Sequence, residues 1–471
     1  MRTANARSFV IGFIAFGAVA AAVPRAQGSP AGQAAVASSK RLAPTPPMGW
    51  NSWDSYGLRI SEAQFRDNVT VLASRLKAAG YTTAVIDEGW YMVNPEDRRT
   101  PDRLQYAVDD YGRFIPVTSR YPSAMQGGAN TGFTALGTWV HAQGLQFGIH
   151  IIRGIPRVSV DRNLPIEGSS FTARDAADQT DPCPWDPTSW GIRDNAAGQA
   201  WYDSLLRQYA GWGVDFIKVD CIADHPYKPH EIRQIHEAIQ HAGRDIVLSL
   251  SPGPTQLEHQ AEVAEWSEMW RISNDVWDLW DSKNSPYPIG VVNQFANAAK
   301  WAPYAGPGHW PDADMLPVGE LTPYPDVGRS RHTRLTPAEQ QTQMSLWAMA
   351  RSPLIVGANL TLLDDETTRL LTNRDIVAID QTATASREAL RDGALVVWTA
   401  DLPGRGPHAV AVFNTGDQPL PFDVAFTRLG LPAGSFSARE VWSGARTAAG
   451  SRLSGTLSPH ACQVFMVVGP R

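Results

Sequence analysis

The chain has 471 residues, with 41 Lys plus Arg against 47 Asp plus Glu, and 43% of it is hydrophobic. A net charge of −6 lacks the cationic footprint of a nucleic-acid binder, and 3 Cys are too few for a disulfide scaffold. With 39 Gly, 35 Pro and 19% charged residues the composition is neither disordered nor fibrous, and the length suits two or three domains or one long α/β barrel with an appendage. The unusual count is 17 Trp. Core packing accounts for most Trp in a large protein, and a surplus also suits a site that stacks flat ligand faces such as sugar rings.

At the N-terminus, Arg2 and Arg7 precede Phe9–Val23, 15 small or apolar residues without a charge, and small residues follow near Ala26–Gly28. This is the layout of a secretory signal peptide over residues 1–28. The apolar run is shorter than the ~18–20 residues of a spanning helix, although an uncleaved anchor is the alternative. Residues 29–45 read as a Pro/Ala/Ser-rich linker. Cleavage removes three Arg and no acid, which leaves 38 cationic side chains against 47 acids and a net charge of −9. The mature chain is expected to be secreted or periplasmic and free of the membrane. Export permits a disulfide, and Cys183 with Cys221 is the natural pair because Cys462 lies in a different region.

From about residue 46, short β-branched runs alternate with amphipathic helical stretches. Met48–Trp50 opens the series, and Ser61–Ala79 follows as a helix with Phe65, Val69, Leu72 and Leu76 on one stripe and Gly80 as its stop. Further strands are expected at Thr82–Asp87, Leu145–Ile152, Val214–Asp220, Ile246–Leu250, Met269–Ile272, Trp310–Met315 and Pro353–Gly357, with helices through Trp201–Trp212 and Pro337–Arg351. Eight βα units over residues 46–385 predict a (β/α)8 TIM barrel, whose reactive groups sit at the C-terminal ends of the strands. Over residues 386–471 the helical pattern stops. Ala394–Trp398, His408–Phe413, Ser437–Trp442 and Gln463–Val468 predict a small antiparallel β domain of sandwich type, expected to serve the barrel as packing support, with a sugar-binding accessory role as the alternative.

There is no phosphate-binding P-loop and no G-x-S-x-G nucleophile elbow. His236 and His241 are five apart, about 140° around a helix, whereas two metal ligands on one helix want the i, i+4 face, so no metal site is expected. What remains is a set of carboxylates at strand ends: Asp87 and Glu88, Asp220, Asp275, and Asp312 with Asp314. A carboxylate ending a buried strand is costly unless paired, but at a barrel mouth it is accessible. Lys218 and Asp220 are two apart on one strand and project to the same side, where the cation favours an ionised Asp. Carboxylates, many Trp and no metal motif point to glycoside hydrolysis by a carboxylate pair without a cofactor. A metal-dependent barrel lyase is the alternative that spacing alone leaves open.

Six motifs carry the argument further. Pro46-Pro47-Met48-Gly49-Trp50-Asn51-Ser52-Trp53, Ile86-Asp87-Glu88-Gly89-Trp90, Trp212–Asp220, Trp270–Asp275, Gly308–Leu316 and Ser345–Met349 resemble, in order, the motifs of the glycoside hydrolase family 27 α-galactosidases, or melibiases. The resemblance covers about residues 44–385, and the C-terminal β domain fits the family plan. It implies a retaining double displacement with Asp220 as nucleophile and Asp275 as acid/base, the carboxyl groups standing about 5–5.5 Å apart. It further implies that Arg271 orients the sugar and that Trp53, Asp87, Glu88, Lys218 and Asp314 line the pocket, with Trp90 another aromatic candidate.

Some positions depart from the family pattern. Asp87-Glu88 stands where two adjacent Asp are common, and the longer Glu88 reaches into the space for the sugar's hydroxymethyl group. L-arabinopyranose, which is galactose without that group, fits such a pocket more easily. His150 replaces a common Tyr, Leu250-Ser251-Pro252 replaces Cys-Glu-Trp, which alters the contacts around the sugar's 2-position and leaves His150 and Ser251 as substrate-binding candidates, and Cys221 directly adjoins Asp220. The expected activity is release of terminal α-D-galactosyl groups from oligosaccharides or plant polysaccharides. A β-L-arabinopyranosidase is the alternative within the family, and an α-glucosidase a weaker one. A non-catalytic carbohydrate-binding protein is the reading from another class. The carbohydrate is the expected partner, and no oligomeric state follows.

Overall fold

The computed structural model describes residues 42–98, 100, 102–404 and 406–469; the expected signal peptide and most of the linker lie outside them. Among the described residues no helix is long and apolar enough to cross a membrane.

Eight parallel strands form the barrel: β1 (Met48–Asn51), β2 (Thr83–Ile86), β3 (Gln146–Ile152), β4 (Phe216–Asp220), β5 (Val247–Leu250), β6 (Met269–Arg271), β7 (Trp310–Asp312) and β8 (Leu354–Val356). They pair in chain order from β1 to β7, with β8 returning to β1 in the register Gly49↔Ile355. Leu316, just beyond β7, closes the ring by bridging Val356. Most strand residues are buried, which is why these segments read as short apolar runs without alternation.

The helices follow from local signals. Ser61 and Gln64 make a capping box at the start of helix α1 (Glu62–Val71), and the chain stays helical to Ala79 before Gly80 ends it at a positive φ. Phe65, Val69, Leu72 and Leu76, the expected stripe, are all fully buried. Helix α2 (Ala196–Trp212) precedes the strand that carries Lys218 and Asp220. Thr336 and Glu339 cap helix α3 (Pro337–Ala350) in the same manner.

The C-terminal unit is a six-stranded antiparallel sheet in the order β9 (Thr384–Asp392), β10 (Leu395–Asp401), β11 (Pro407–Asn414), β16 (Cys462–Val468), β13 (Phe436–Glu440), β14 (Arg446–Gly450), with β12 (Leu420–Ala425) pairing with β15 (Arg452–Leu457) as a second layer. Val397, Val410, Phe422, Val424 and Phe465 fill the space between the layers. The sequence reading missed β14 and also β9, β12 and β15, and the alternating or polar residues of these last three leave one face in water. This unit packs on α3. His460 bonds Glu339 at 2.7 Å and stacks on Trp280 at 4.2 Å, and the Arg439 guanidinium grips Asp375 through two hydrogen bonds.

Candidate functional site

The carboxylates expected at the strand ends meet at the C-terminal mouth of the barrel. After β1, Asn51 donates to Asp87 Oδ2 at 2.6 Å; after β2, the Asp87 backbone N–H donates to Ser52 Oγ at 3.0 Å. Lys218 of β4 reaches the same Asp87 oxygen at 2.9 Å, so three strands converge on one buried carboxylate. Burial opposes the charge on Asp87, but Lys218, His150 and the hydrogen bonds from Glu88 N–H and Asn51 overcome it and hold Asp87 well below the usual carboxylate range. Lys218 is correspondingly raised, since burial is outweighed by Asp87 and Asp220.

Asp220 ends β4 at the same rim. His150 Nε2, from β3, stands 3.4 Å from Asp220 Oδ2, and the Cys221 backbone N–H donates to Oδ1 at 2.5 Å. These contacts and Lys218 more than offset burial and lower the Asp220 pKa, which keeps the group an ionised acceptor. Its backbone is anchored as well. Arg153 Nε donates to the Cys221 carbonyl at 2.6 Å, and that guanidinium is buried against Glu231 and Asp181. Cys183 and Cys221 are joined as a disulfide.

Two strands further round the ring, Arg271 at the end of β6 bridges Asp275 at 3.2 Å and Asp314 at 2.8 Å. Asp314, following β7, also accepts from the Val276 backbone N–H at 2.7 Å, which pins the loop carrying Asp275. Burial, partly countered by Arg271, pushes Asp314 up to about 7. The Asp275 side chain is 33% exposed against 18% for Asp220, so Asp275 is the more open of the two to solvent.

Lys218, Ser251, Arg271 and Asp314 line one cavity inside the mouth, with Asn51 and Asp312. Trp53, Asp87, Glu88, His150, Asp220 and Asp275 are not part of that lining; Trp53 follows β1 and lies under the Arg98 guanidinium, 5.9 Å from its ring centre. Trp90 does not belong to the site. It is fully buried, donates to the His150 carbonyl at 2.8 Å and packs edge-on against Trp212 and Phe133. Its place one residue past Gly89 turns it away from the mouth into the layer behind the sheet, so it acts as core.

Three groups at the mouth escaped the sequence reading. Asp54, fully buried with Oδ2 unpartnered, is pushed well up by burial and by the surrounding carboxylates. It fits beneath the site because Gly357 has no side chain; a Cβ there would lie 1.9 Å from Asp54 Oδ2. Arg98 donates to Glu88 Oε2 at 3.0 Å and stands 3.9 Å from Asp186. Asp54 directly follows the Pro46–Trp53 motif with no strand end or charged neighbour to mark it, and Arg98 and Asp186 come from loops with no periodicity.

A closed (β/α)8 barrel whose mouth gathers carboxylates with Lys218 and Arg271 around a concave site defines a glycoside hydrolase. The family profile for alpha galactosidase A matches residues 195–382, and that for the alpha galactosidase C-terminal beta sandwich domain matches residues 392–467. A family 27 β-L-arabinopyranosidase from Geobacillus stearothermophilus is 38% identical in sequence and superposes over 90% of this chain and 97% of its own with a TM-score of 0.84. A variant of that enzyme in complex with arabinose is 37% identical over 91% of this chain and 98% of its own, again at 0.84. Alpha-galactosidase 2 of Arabidopsis thaliana is 27% identical over 468 residues, 97% of this chain and 97% of its own. The chain belongs to glycoside hydrolase family 27.

Proposed function

We propose that this enzyme is an exported, retaining exo-glycosidase for terminal sugars of galacto configuration, with β-L-arabinopyranosides favoured over α-D-galactosides. Asp220 is the nucleophile. Its carboxylate is ionised and held by His150 and the Cys221 N–H, so it can attack the anomeric carbon without first losing a proton. Asp275, at the open side, protonates the departing oxygen and then takes the proton of the water that releases the sugar from Asp220. Asp87, Lys218, Arg271 and Asp314 hold the ring hydroxyls, and no cofactor enters the reaction.

The observation that carries the sugar preference is Glu88, a buried glutamate beside Asp87 at the end of β2, held by Arg98. Its extra methylene occupies space that a hydroxymethyl substituent would need, and L-arabinopyranose lacks that substituent. The likeness to the Geobacillus stearothermophilus β-L-arabinopyranosidase supports the same reading. A second reading, α-D-galactosidase, is supported by relatives such as Arabidopsis thaliana alpha-galactosidase 2. The two sugars present the same hydroxyls to every other pocket residue, so Glu88 is where they separate.

Paired aryl glycosides test the choice. The wild type should show the higher kcat/KM on the β-L-arabinopyranoside, and Glu88→Asp should move the ratio toward the galactoside by about 10-fold, the scale of one methylene in a pocket. A wild type that prefers galactose, with no response to the swap, rejects the role of Glu88 and leaves α-galactosidase. Export is checked by N-terminal sequencing of the secreted protein, which should begin near residue 28.

A further inference from the structure

We propose that Asp186 shares one proton with Glu88, and that this pair, clamped by Arg98, is a positioning device that fixes the pocket wall and thereby sugar specificity. Three separate segments build it: the end of β2 supplies Glu88, the following loop Arg98, and the loop after Cys183 Asp186. Glu88 Oε2 accepts from Arg98 Nη2 at 3.0 Å, whereas Oε1 is buried with no donor. Asp186 Oδ1 accepts from the Thr188 backbone at 2.8 Å and from the Thr188 hydroxyl, whereas its Oδ2 is also buried with no donor.

Both carboxyl groups face one guanidinium, Glu88 Oε2 at 3.0 Å from Arg98 Nη2 and Asp186 Oδ2 at 3.9 Å from Arg98 Nε, and each keeps a buried oxygen without a donor. Ionised carboxylates only accept, so two of them cannot bond to each other. A single proton between them satisfies both orphaned oxygens at once and avoids placing a second uncompensated charge in a buried site. Charge counting agrees: one guanidinium faces two carboxyl groups, and one proton makes the trio neutral. The other groups facing it are Asp220, the buried Tyr91 hydroxyl and, beyond the guanidinium, Asp326; the nearby Arg157 guanidinium stacks on Trp190 at 3.9 Å. Burial and Asp186 also raise Glu88 well above the usual carboxylate range despite Arg98.

Asp186 is itself held in place. Its residue lies three past Cys183, whose disulfide ties this loop to the residue after Asp220. The wall at Glu88 is therefore braced from the loop that also braces the nucleophile. Loss of the shared proton at high pH would leave two negative charges on one Arg and loosen that wall. The proposal rests on the reading of Glu88 as the wall that separates the two sugars.

The test compares wild type, Asp186→Asn and Asp186→Ala on both aryl glycosides across pH, with infrared spectra of the same proteins. Asn can donate its amide to Glu88 Oε1 in place of the proton. Asp186→Asn should hold the sugar ratio within about 3-fold, lose the protonated-carboxyl band of the pair and shift the alkaline fall of kcat/KM to higher pH. Asp186→Ala should move the sugar ratio by about 10-fold, mainly through KM. The proposal is overturned if Asp186→Asn leaves both the infrared band and the alkaline limb unchanged, a result that stands even if the Ala variant does not fold. The Asp186 variants are scored on change relative to wild type. A wild type that prefers galactose refutes the sugar preference and leaves this result separately readable.

Discussion

The two ends of the barrel both bury carboxyl groups, and they treat them differently. At the mouth, Asp87 and Asp220 face Lys218 and His150 and are driven toward the ionised form against the cost of burial. At the floor, Glu268, just before β6, meets chiefly backbone: its side chain accepts from the Leu248 N–H at 2.8 Å, and burial raises it to about 7. All are carboxyls withdrawn from water, Asp87 fully and Asp220 and Glu268 in part, and the facing charges differ. A buried carboxyl therefore becomes a reactive anion where cations and N–H donors converge on it, and a near-neutral structural group where only the ladder of the sheet meets it.

The mouth also sorts its own carboxyls. Burial raises Asp54, Glu88, Asp312 and Asp314, while Asp87 and Asp220 are lowered because cations and N–H donors converge on those two closely enough to outweigh it. Catalysis by two carboxylates needs one ionised and one protonated, and the crowding at the mouth makes protonation states differ between neighbours.

The largest test of this contrast is removal of the anion. Asp220→Ala should lower kcat on an aryl glycoside by about 10⁴-fold or more, with the fold intact by circular dichroism. Asp275→Ala should cost about 10²–10⁴-fold, less with a phenol that leaves without protonation. Full activity in the Asp220 variant would place the chemistry elsewhere.

Next comes the cation that separates mouth from floor. Lys218→Met should reduce kcat/KM on the order of 10²-fold, the scale of lost charge-assisted hydrogen bonds. It should also move the acid limb. Asp220 is held below its ordinary pKa in part by Lys218, so wild type keeps this carboxyl, the proposed nucleophile, ionised as pH falls until the lowered folded-state value is reached. Without the lysine that loss should begin at higher pH, and an unmoved acid limb in kcat/KM would show that His150 and the Cys221 N–H suffice.

The smallest effect belongs to the floor and is read in stability. Glu268 has a raised folded-state pKa, so the native state binds its proton more tightly than the unfolded chain does. Its contribution is present below about 4.5 and is lost as pH rises toward about 7. Glu268→Gln keeps an acceptor for Leu248 N–H and removes the titration. It should stabilise the protein at pH 8 by on the order of 1–2 kcal/mol, discounted for partial solvent screening, with no gain at pH 4. Equal denaturation midpoints for variant and wild type at both pH values would remove this account.

Much of the architecture was legible in the primary structure because its signals are local. The Phe65, Val69, Leu72, Leu76 stripe, the glycine stop at Gly80 and the apolar strand runs each depend on a few neighbouring residues, and Asp87, Asp220, Asp275 and Asp314 followed from motifs at strand ends. The C-terminal strands with a wet face were harder, since β9 and β15 carry many polar residues whose partners are set by pairing across the sheet.

The sequence by itself determined the barrel, its family and the acidic residues placed at the mouth, because periodicity and motif order survive without coordinates. Tertiary structure decided which of those acids are driven toward the ionised form and which toward the neutral, that Trp90 is core, and that Arg98 faces both Glu88 and Asp186. Each of these depends on groups far apart in the chain brought within a few ångströms, where burial and facing charge, invisible to a one-dimensional pattern, set protonation and hydrogen bonding.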